Sequence, residues 1–138
     1  MPLDGRSLTS VELVTLYLHR IAQFDMRGPS LNSICIFNPR ALQEAQASDN
    51  YRATAGHKAR PLEGIPFTVK DSFKVKGMTV AAGSPSFAHL VAPDDAAIVE
   101  RLQEAGAIVL GRTNMPPMGM GEMKDKAMPV GITFDTKA

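Results

Sequence analysis

The sequence has very little of several features that mark particular classes of protein. It contains one cysteine, Cys35, and no tryptophan. A single cysteine excludes a disulfide within the chain and is typical of a reducing compartment, so we expect a cytoplasmic location. No apolar run approaches the ~20 residues that a membrane-spanning helix needs. The first twenty residues lack the apolar core of a signal peptide. We therefore expect no contact with a membrane.

Excess charge of either sign is also missing. Fifteen basic and fourteen acidic side chains give a net charge of +1. Such a chain has no strong field to attract nucleic acid, so we expect no nucleic-acid partner. A hydrophobic content of 44% and a charged content of 21% are ordinary for a globular protein. At 138 residues the chain is long enough for one domain at most.

The first half of the chain predicts helices that alternate with strands. Thr9 and Glu12 have the spacing of a capping box, which predicts a helix over residues 10–25. A strand over 32–38 is followed by Asn38 and Pro39, which can open a second helix that stops near Gly56. Alternating apolar residues then predict a strand over 65–70.

A second unit of the same kind follows. Asp94 or Asp95 can cap a helix, and Gly106 is placed to end it. The expected apolar face of this helix comprises Ile98, Val99, Leu102 and Ala105. An apolar strand over 107–111 comes next. The alternation predicts an α/β fold with a parallel or mixed sheet and flanking helices, and it favours parallel strands with right-handed crossovers.

Residues 106–113 have the spacing of a phosphate-binding loop, from Gly106 to Gly111, Arg112 and Thr113. That motif needs a glycine-rich loop that opens a helix, with a lysine at the phosphates. Here the middle residues predict a buried strand, and an arginine stands in the place of the lysine. We therefore expect no nucleotide at this segment.

Methionine is concentrated near the end of the sequence. Five of the eight methionines lie in a short segment, namely Met115, Met118, Met120, Met123 and Met128. Thioether groups can bind Cu(I), but no histidine or cysteine lies nearby to complete a site. Methionine also fills irregular apolar gaps, and we favour that interpretation. We expect no metal and no organic cofactor.

Lys70 stands at the end of the predicted strand over 65–70, directly before Asp71. A lysine acts as a general base only when it is neutral, which costs about 4–5 kcal/mol for a shift of three pKa units. A lone lysine at a strand end is more often a solvated cation. We expect the Lys70 ammonium group to stay charged, either reaching water or pairing with Asp71 or another carboxylate.

The wider segments "PLEGIPFTVKDSFKVKGMTVAAGSPSF" (61–87) and "AGAIVLGRTNMP" (105–116) resemble the amidase signature family of serine amide hydrolases, and the fungal members most of all. The resemblance covers nearly all of residues 3–118. It implies an α/β/α sandwich around a mixed sheet, and hydrolysis of the C–N bond of carboxamides.

In that family the lysine of the V-K-D segment deprotonates a serine held by a cis peptide bond, which relays the proton from a nucleophilic serine. The resemblance assigns the role of the lysine to Lys70. The sequence has no serine after Ser86 and no G-S-S run. Ser72, Ser84 and Ser86 surround the lysine segment, where the family does not carry its nucleophile. The resemblance therefore implies that this chain lacks both triad serines.

The end of the sequence suggests why the triad serines are missing. Residues 119–126 stand where the family would continue into its Gly/Ser-rich signature, and residues 127–138 resemble the family's carboxy-terminal segment. We interpret residues 1–138 as a single truncated amidase-type domain in which the middle is deleted. An altered gene model, an unusual splice form and an eroded duplicate would all give this pattern.

Two functions are compatible with the sequence. The chain is an amidase-family hydrolase by descent, with a small amide as substrate if it is active. Alternatively it is a non-catalytic remnant or an interaction module, with a protein partner that covers the exposed edges of its sheet. Loss of the serines removes a unit of groups that act together, which favours catalytic incompetence.

Overall fold

The computed structural model describes residues 8–55 and 58–119. The first half contains helix α1 (Ser10–Phe24), strand β1 (Ile34–Phe37) and helix α2 (Ala41–Ala55), and the second contains strand β2 (Pro66–Lys70), helix α3 (Ala97–Glu104) and strand β3 (Ile108–Thr113). None of the helices in these residues is long and apolar enough to cross a membrane.

The start of α1 confirms the predicted capping box. The Glu12 amide donates to Thr9 Oγ1 at 3.1 Å, and Glu12 Oε2 accepts from the Thr9 amide at 2.8 Å. Asp49 of α2 adds a second cap, because its carboxylate accepts from the amides of Ser10 at 2.8 Å and Val11 at 3.1 Å. These bonds satisfy amide groups that the helix itself leaves without partners. They also fix α1 against α2.

The three strands form a mixed sheet in the order β1-β3-β2. Strand β3 pairs in parallel with β2 and antiparallel with β1. The predicted α/β fold with a mixed sheet is confirmed, but the expectation of parallel strands throughout is wrong. The direction of β1 is set by its pairing with residues far along the chain, and local periodicity contains no information about that pairing.

Helices lie on both faces of the sheet. Val14 of α1 and Ala41 and Ala45 of α2 pack with Ile108 and Leu110 of β3. On the other face, Val99 of α3 packs with Val69 of β2 and Val109 of β3. Successive residues of β3 therefore contribute to opposite cores, as the alternation of side chains along a strand requires. Because β3 is covered on both faces, its first three residues, Ile108, Val109 and Leu110, are all apolar.

The beginning of α3 differs from the prediction. The N-cap residue is Ala96, with no side-chain cap. Asp95 instead accepts from the Lys76 amide at 2.7 Å, and Asp94 pairs with Lys74 at 2.5 Å. Both aspartates hold the preceding loop, so neither is free to cap the helix. Ile98, predicted on the buried face, is 51% exposed.

Gly106 ends α3 as predicted. Its φ angle is +96°, a left-handed conformation that glycine adopts without strain. Its amide donates to Gln103 O, and the Ala107 amide donates to Leu102 O at 3.0 Å. This pair of bonds is a Schellman motif. The expected stop of α2 at Gly56 lies outside the described residues.

Candidate active site at the carboxyl end of strand β2

Lys70 is the last residue of β2 and is exposed. The chain turns directly after it, because the Phe73 amide donates to the Lys70 carbonyl oxygen at 2.9 Å. Within residues 8–55 and 58–119, the Lys70 ammonium group makes no ion pair. Among the described residues, Lys70 thus has the arrangement in which its side chain reaches water.

Asp71 is directed away from Lys70 and is buried at 2% exposure. Its Oδ1 accepts from Arg112 Nε at 3.1 Å, and its Oδ2 accepts from the Gly83 amide at 3.0 Å. The Ala81 amide is a third donor, at 3.3 Å. The alternative in which Lys70 pairs with Asp71 is therefore wrong, because a guanidinium and two backbone amides already occupy the carboxylate.

Arg112 comes from the neighbouring strand β3 and is fully buried. Besides the bond to Asp71, its Nη2 donates to Phe73 O at 2.6 Å. The third nitrogen, Nη1, is buried without a partner among the described residues. Sequence reasoning considered Arg112 only as the wrong residue for a phosphate loop. An arginine inside a buried strand was itself a signal, since such a charge needs a buried partner.

The Asp71 carboxylate organises the turn at residues 81–84. Ala82 and Gly83 both have left-handed backbone conformations, with φ angles of +47° and +69°. Amides in such a turn point inward and form a small anion-binding concavity, which the Asp71 carboxylate fills. A Cβ atom at Gly83 would lie 2.5 Å from Met115 O, so this position has no room for a side chain. The turn thus packs closely on the segment that follows β3.

The three serines near Lys70 do not form a catalytic pair with it. Ser72 and Ser86 are exposed and Ser84 is partly buried. Among the described residues, none of their hydroxyl groups is hydrogen-bonded to Lys70 Nζ. The site as described therefore contains a lysine and a buried Asp71–Arg112 pair, without a serine activated by the lysine.

Cys35 of β1 lies behind this pair. Its Sγ contacts Arg112 O at 3.4 Å. Burial raises the pKa of the Cys35 thiol to about 11, and the negative charge of Asp71 contributes in the same direction. The thiol is therefore protonated at neutral pH and poorly suited to be a nucleophile.

The other sequence patterns have structural explanations. The segment that resembles a phosphate loop, residues 106–113, comprises the turn that follows α3 and strand β3. Met115 is buried and Met118 is exposed, whereas Met120, Met123 and Met128 lie outside the described residues. A group of three His, Cys, Asp or Glu side chains that could hold a metal ion does not occur in the described part of the chain.

A cleft of about 410 Å³ lies at the opposite end of the sheet, beside Gly106 and Ile108. Glu63 at its base accepts from Ser48 Oγ at 2.6 Å and from Arg60 Nε at 2.6 Å. The hydrogen bond to Glu63 raises the pKa of Arg60, while partial burial opposes the rise. Because these charges satisfy each other, we interpret the cluster as support for the turn before β2.

Comparison with known proteins places these elements in one family. The Amidase family profile matches residues 12–137, which is most of the chain. The chain therefore belongs to the amidase family.

Its relatives include one subunit of the glutamyl-tRNA(Gln) amidotransferase in each of two bacteria. The protein of Azoarcus sp. (strain BH72) is 45% identical over 126 residues, which are 91% of this chain and 25% of the relative. The protein of Methylobacillus flagellatus is 41% identical over 124 residues, which are 89% of this chain and 24% of the relative.

Solved structures give the same result. The peptide amidase of Stenotrophomonas maltophilia superposes with a TM-score of 0.78 at 39% identity, over 84% of this chain and 23% of that chain. An amidase family protein of Bacillus anthracis gives a TM-score of 0.76 at 38% identity, over 83% of this chain and 22% of that chain. The chain thus spans about a quarter of the length of its relatives. These relatives are bacterial, and the expected closeness to fungal amidases stays a prediction.

Proposed function

We propose that this chain is an amidase-type protein that carries the position of the general base, Lys70, and is catalytically incompetent on its own. Support comes from the match to the family and from the place of Lys70 at the end of β2. The sequence contains no serine after Ser86. A lysine without a nucleophile supplies only a base, and members of such a triad act as a unit.

The proposal includes the architecture of the chain as one truncated domain. Residues 3–118 correspond to the amino-terminal part of an amidase, 119–126 to a junction and 127–138 to the carboxy-terminal segment. The family match over residues 12–137 supports the inclusion of both the amino-terminal and the carboxy-terminal segments. A cytoplasmic location, inferred from the single cysteine, is part of the same proposal.

Turnover of a chromogenic amide tests this function. We expect the purified chain to release no p-nitroaniline from a carboxylic p-nitroanilide above the buffer blank, and to hydrolyse no p-nitrophenyl ester. Lys70→Ala provides the decisive comparison, and Lys76→Ala is its matched control because Lys76 is also an exposed lysine of the same segment.

Turnover that disappears in Lys70→Ala and persists in Lys76→Ala would contradict catalytic incompetence. Ser72 would then be the first nucleophile to test, since it is exposed and two residues from Lys70. Turnover that is equal in all three proteins would instead indicate a contaminating hydrolase, and would leave the chain without activity.

A second candidate function is an interaction module. In the described residues β1 and β2 are both edge strands, and such edges are ready to pair with another chain. The amidotransferase relatives are by name one subunit of an enzyme, which makes a protein partner plausible. Sedimentation of the purified chain tests this candidate, because a partner-dependent protein should associate with itself or aggregate. A monodisperse monomer with a sharp thermal transition would contradict it.

A further inference from the structure

Strand β2 has one paired edge and one open edge in the described residues. On the paired edge, the Ile65 carbonyl accepts from the Ile108 amide at 2.9 Å, and the Asp71 amide donates to the Thr113 carbonyl at 3.0 Å. The irregularity in this pairing lies in β3, which has the extra residue, so β2 keeps a regular alternation. Peptide groups alternate between the two edges of a strand, so the odd-numbered residues of β2 face β3 and the even-numbered ones face the open edge.

The open edge offers a short and specific set of donors and acceptors. Pro66 has a carbonyl but no amide hydrogen. Thr68 has both groups, and its side chain is exposed. The Lys70 amide faces outward, whereas the Lys70 carbonyl already accepts from the Phe73 amide at 2.9 Å. A partner strand can therefore use the amides of Thr68 and Lys70 and the carbonyls of Pro66 and Thr68.

This set is complementary to itself. In an antiparallel pair, opposite residues that face each other exchange two hydrogen bonds. If Thr68 lies opposite Thr68 of a second copy, these residues bond in both directions, and each Lys70 amide donates to the opposite Pro66 carbonyl. The bond that proline cannot donate is the one to the Lys70 carbonyl, which Phe73 already satisfies.

Other registers fit less well. A shift by two residues in one direction places Thr68 opposite Pro66, and the Thr68 carbonyl then has no donor. A shift in the other direction places Thr68 opposite Lys70, so its amide would need the carbonyl that Phe73 occupies. Only the register centred on Thr68 leaves no group of this edge without a partner.

The charge of Lys70 is compatible with this register. Lysine on an edge strand often prevents pairing with another chain. Here the two lysines would lie on opposite sides of the symmetry axis, four residues apart along the strands, which is ~14 Å at ~3.4 Å per residue. This separation exceeds the Debye length of ~8–10 Å in dilute salt, so their repulsion is largely screened.

We propose that two copies of this chain form a symmetric dimer through their β2 strands, paired antiparallel with Thr68 at the two-fold axis. The proposal rests on the second candidate function, the interaction module, and names a second copy as its partner. The interface is isologous, because the same residues contribute from both copies. It joins the two three-stranded sheets of the described residues into one continuous sheet.

Opposite charges at position 68 test the register. By sedimentation of the full-length chain we expect the wild type to be a dimer. Thr68→Lys and Thr68→Glu should each raise the dimer Kd about tenfold, because two like charges would face each other ~5.5 Å apart. An equimolar mixture of the two variants should recover the wild-type affinity as a heterodimer. Ser86→Lys and Ser86→Glu are the matched controls, since Ser86 is exposed and lies outside β2, and they should change nothing alone or mixed.

A cross-link locates the axis independently. In the Cys35→Ala chain, Thr68→Cys should form a disulfide between two chains on mild oxidation, whereas Ser86→Cys should not, because the two Cα atoms at position 68 lie within disulfide range. A dimer that the charged variants leave unchanged, or that Thr68→Cys does not link, would overturn this proposal and leave the interaction module standing. A monomeric wild type would overturn both. Neither result bears on catalytic incompetence, which turnover of the chromogenic amide tests.

Discussion

The guanidinium of Arg112 and the carboxylate of Asp71 meet 3.1 Å apart at the carboxyl ends of two neighbouring strands, and neither side chain is more than 2% exposed. The pair has two consequences. It joins β2 to β3 by a contact that water does not screen. Because the Asp71 carboxylate is bound to Arg112, it does not form an ion pair with Lys70. Lys70 is therefore exposed to solvent, whereas Asp71, the next residue, is buried.

We expect Asp71→Asn to lower the free energy of unfolding by about 3–5 kcal/mol, because Arg112 would be left as a buried charge without its counterion. Urea unfolding followed by circular dichroism gives this value. Asp94→Asn is the control, since Asp94 pairs with Lys74 at the surface and such pairs contribute ~0–1 kcal/mol. An equal effect of the two substitutions would show that the buried pair contributes no more to the free energy of unfolding than the surface pair does.

Asp49 should make stability depend on pH. Burial alone would raise the pKa of its carboxyl, but hydrogen bonds from the Ser10 and Val11 amides and from Arg52 lower it overall. A lowered folded-state pKa stabilises the fold above the usual value and ceases to do so as pH falls through the folded value. We expect Asp49→Asn to cost about 0.3–1 kcal/mol at pH 7, the usual contribution of a negative charge at the start of a helix.

The loss should shrink as the pH falls below the usual value of 3.8 for this carboxyl. Thermal unfolding of the wild type and the variant across this range is the measurement. Glu104→Gln, at an exposed position in the last turn of α3, is the control and should show little change with pH. A pH-independent loss in Asp49→Asn would refute the role assigned to its charge.

Cys35 should resist alkylation. Its pKa of about 11, compared with the ordinary 9.0, predicts a thiolate fraction near neutral pH that is ~100-fold smaller than that of a free thiol. The rate with iodoacetamide, followed by mass spectrometry, should rise about tenfold per pH unit through pH 10. A rate that reaches its plateau near pH 9 would show that the thiol is unperturbed. Alkylation in concentrated urea is the control for accessibility.

Gly106→Ala should destabilise the fold much more than Gly77→Ala. Both glycines have positive φ angles, +96° and +78°, so both substitutions introduce backbone strain of about 1–2 kcal/mol. A Cβ atom at Gly106 would also lie 2.8 Å from the Cα of Glu63, whereas at Gly77 it would meet nothing within 4 Å. Midpoints of urea unfolding should separate the two variants, and equal midpoints would exclude a steric contribution.

Local patterns predicted the elements well where the deciding contacts are close in sequence. The capping box of Thr9 and Glu12 and the stop at Gly106 depend on neighbours within a few residues, and both were found as expected. The predicted cap of α3 was wrong because the Asp95 carboxylate accepts a hydrogen bond from the amide of Lys76, nineteen residues earlier. Local sequence patterns do not show that an amide so far away in the chain competes with the helix amides for this carboxylate.

In the candidate active site, too, residues could be predicted where local sequence decides and not where distant contacts decide. Lys70 could be singled out from its own segment, and its role as a general base stays a prediction. The Asp71–Arg112 pair could not be found in this way, since its members are separated by 41 positions and meet only when β2 lies beside β3. The direction of β1 depends on a contact of still longer range, between Ile34 and Thr113.

The order β1-β3-β2 also has a consequence for synthesis. Of the three strands in the described residues, the first two to be synthesised are not neighbours, and β3, the strand between them, is synthesised after both. At ~5–20 residues per second, β2 waits roughly 2–8 s for residues 108–113 to be added. Until then β1 and β2 lack the strand with which both of them pair, and their apolar residues are exposed. A chaperone that holds such segments should therefore act on this protein before release, and pairing across so many residues should make refolding slow.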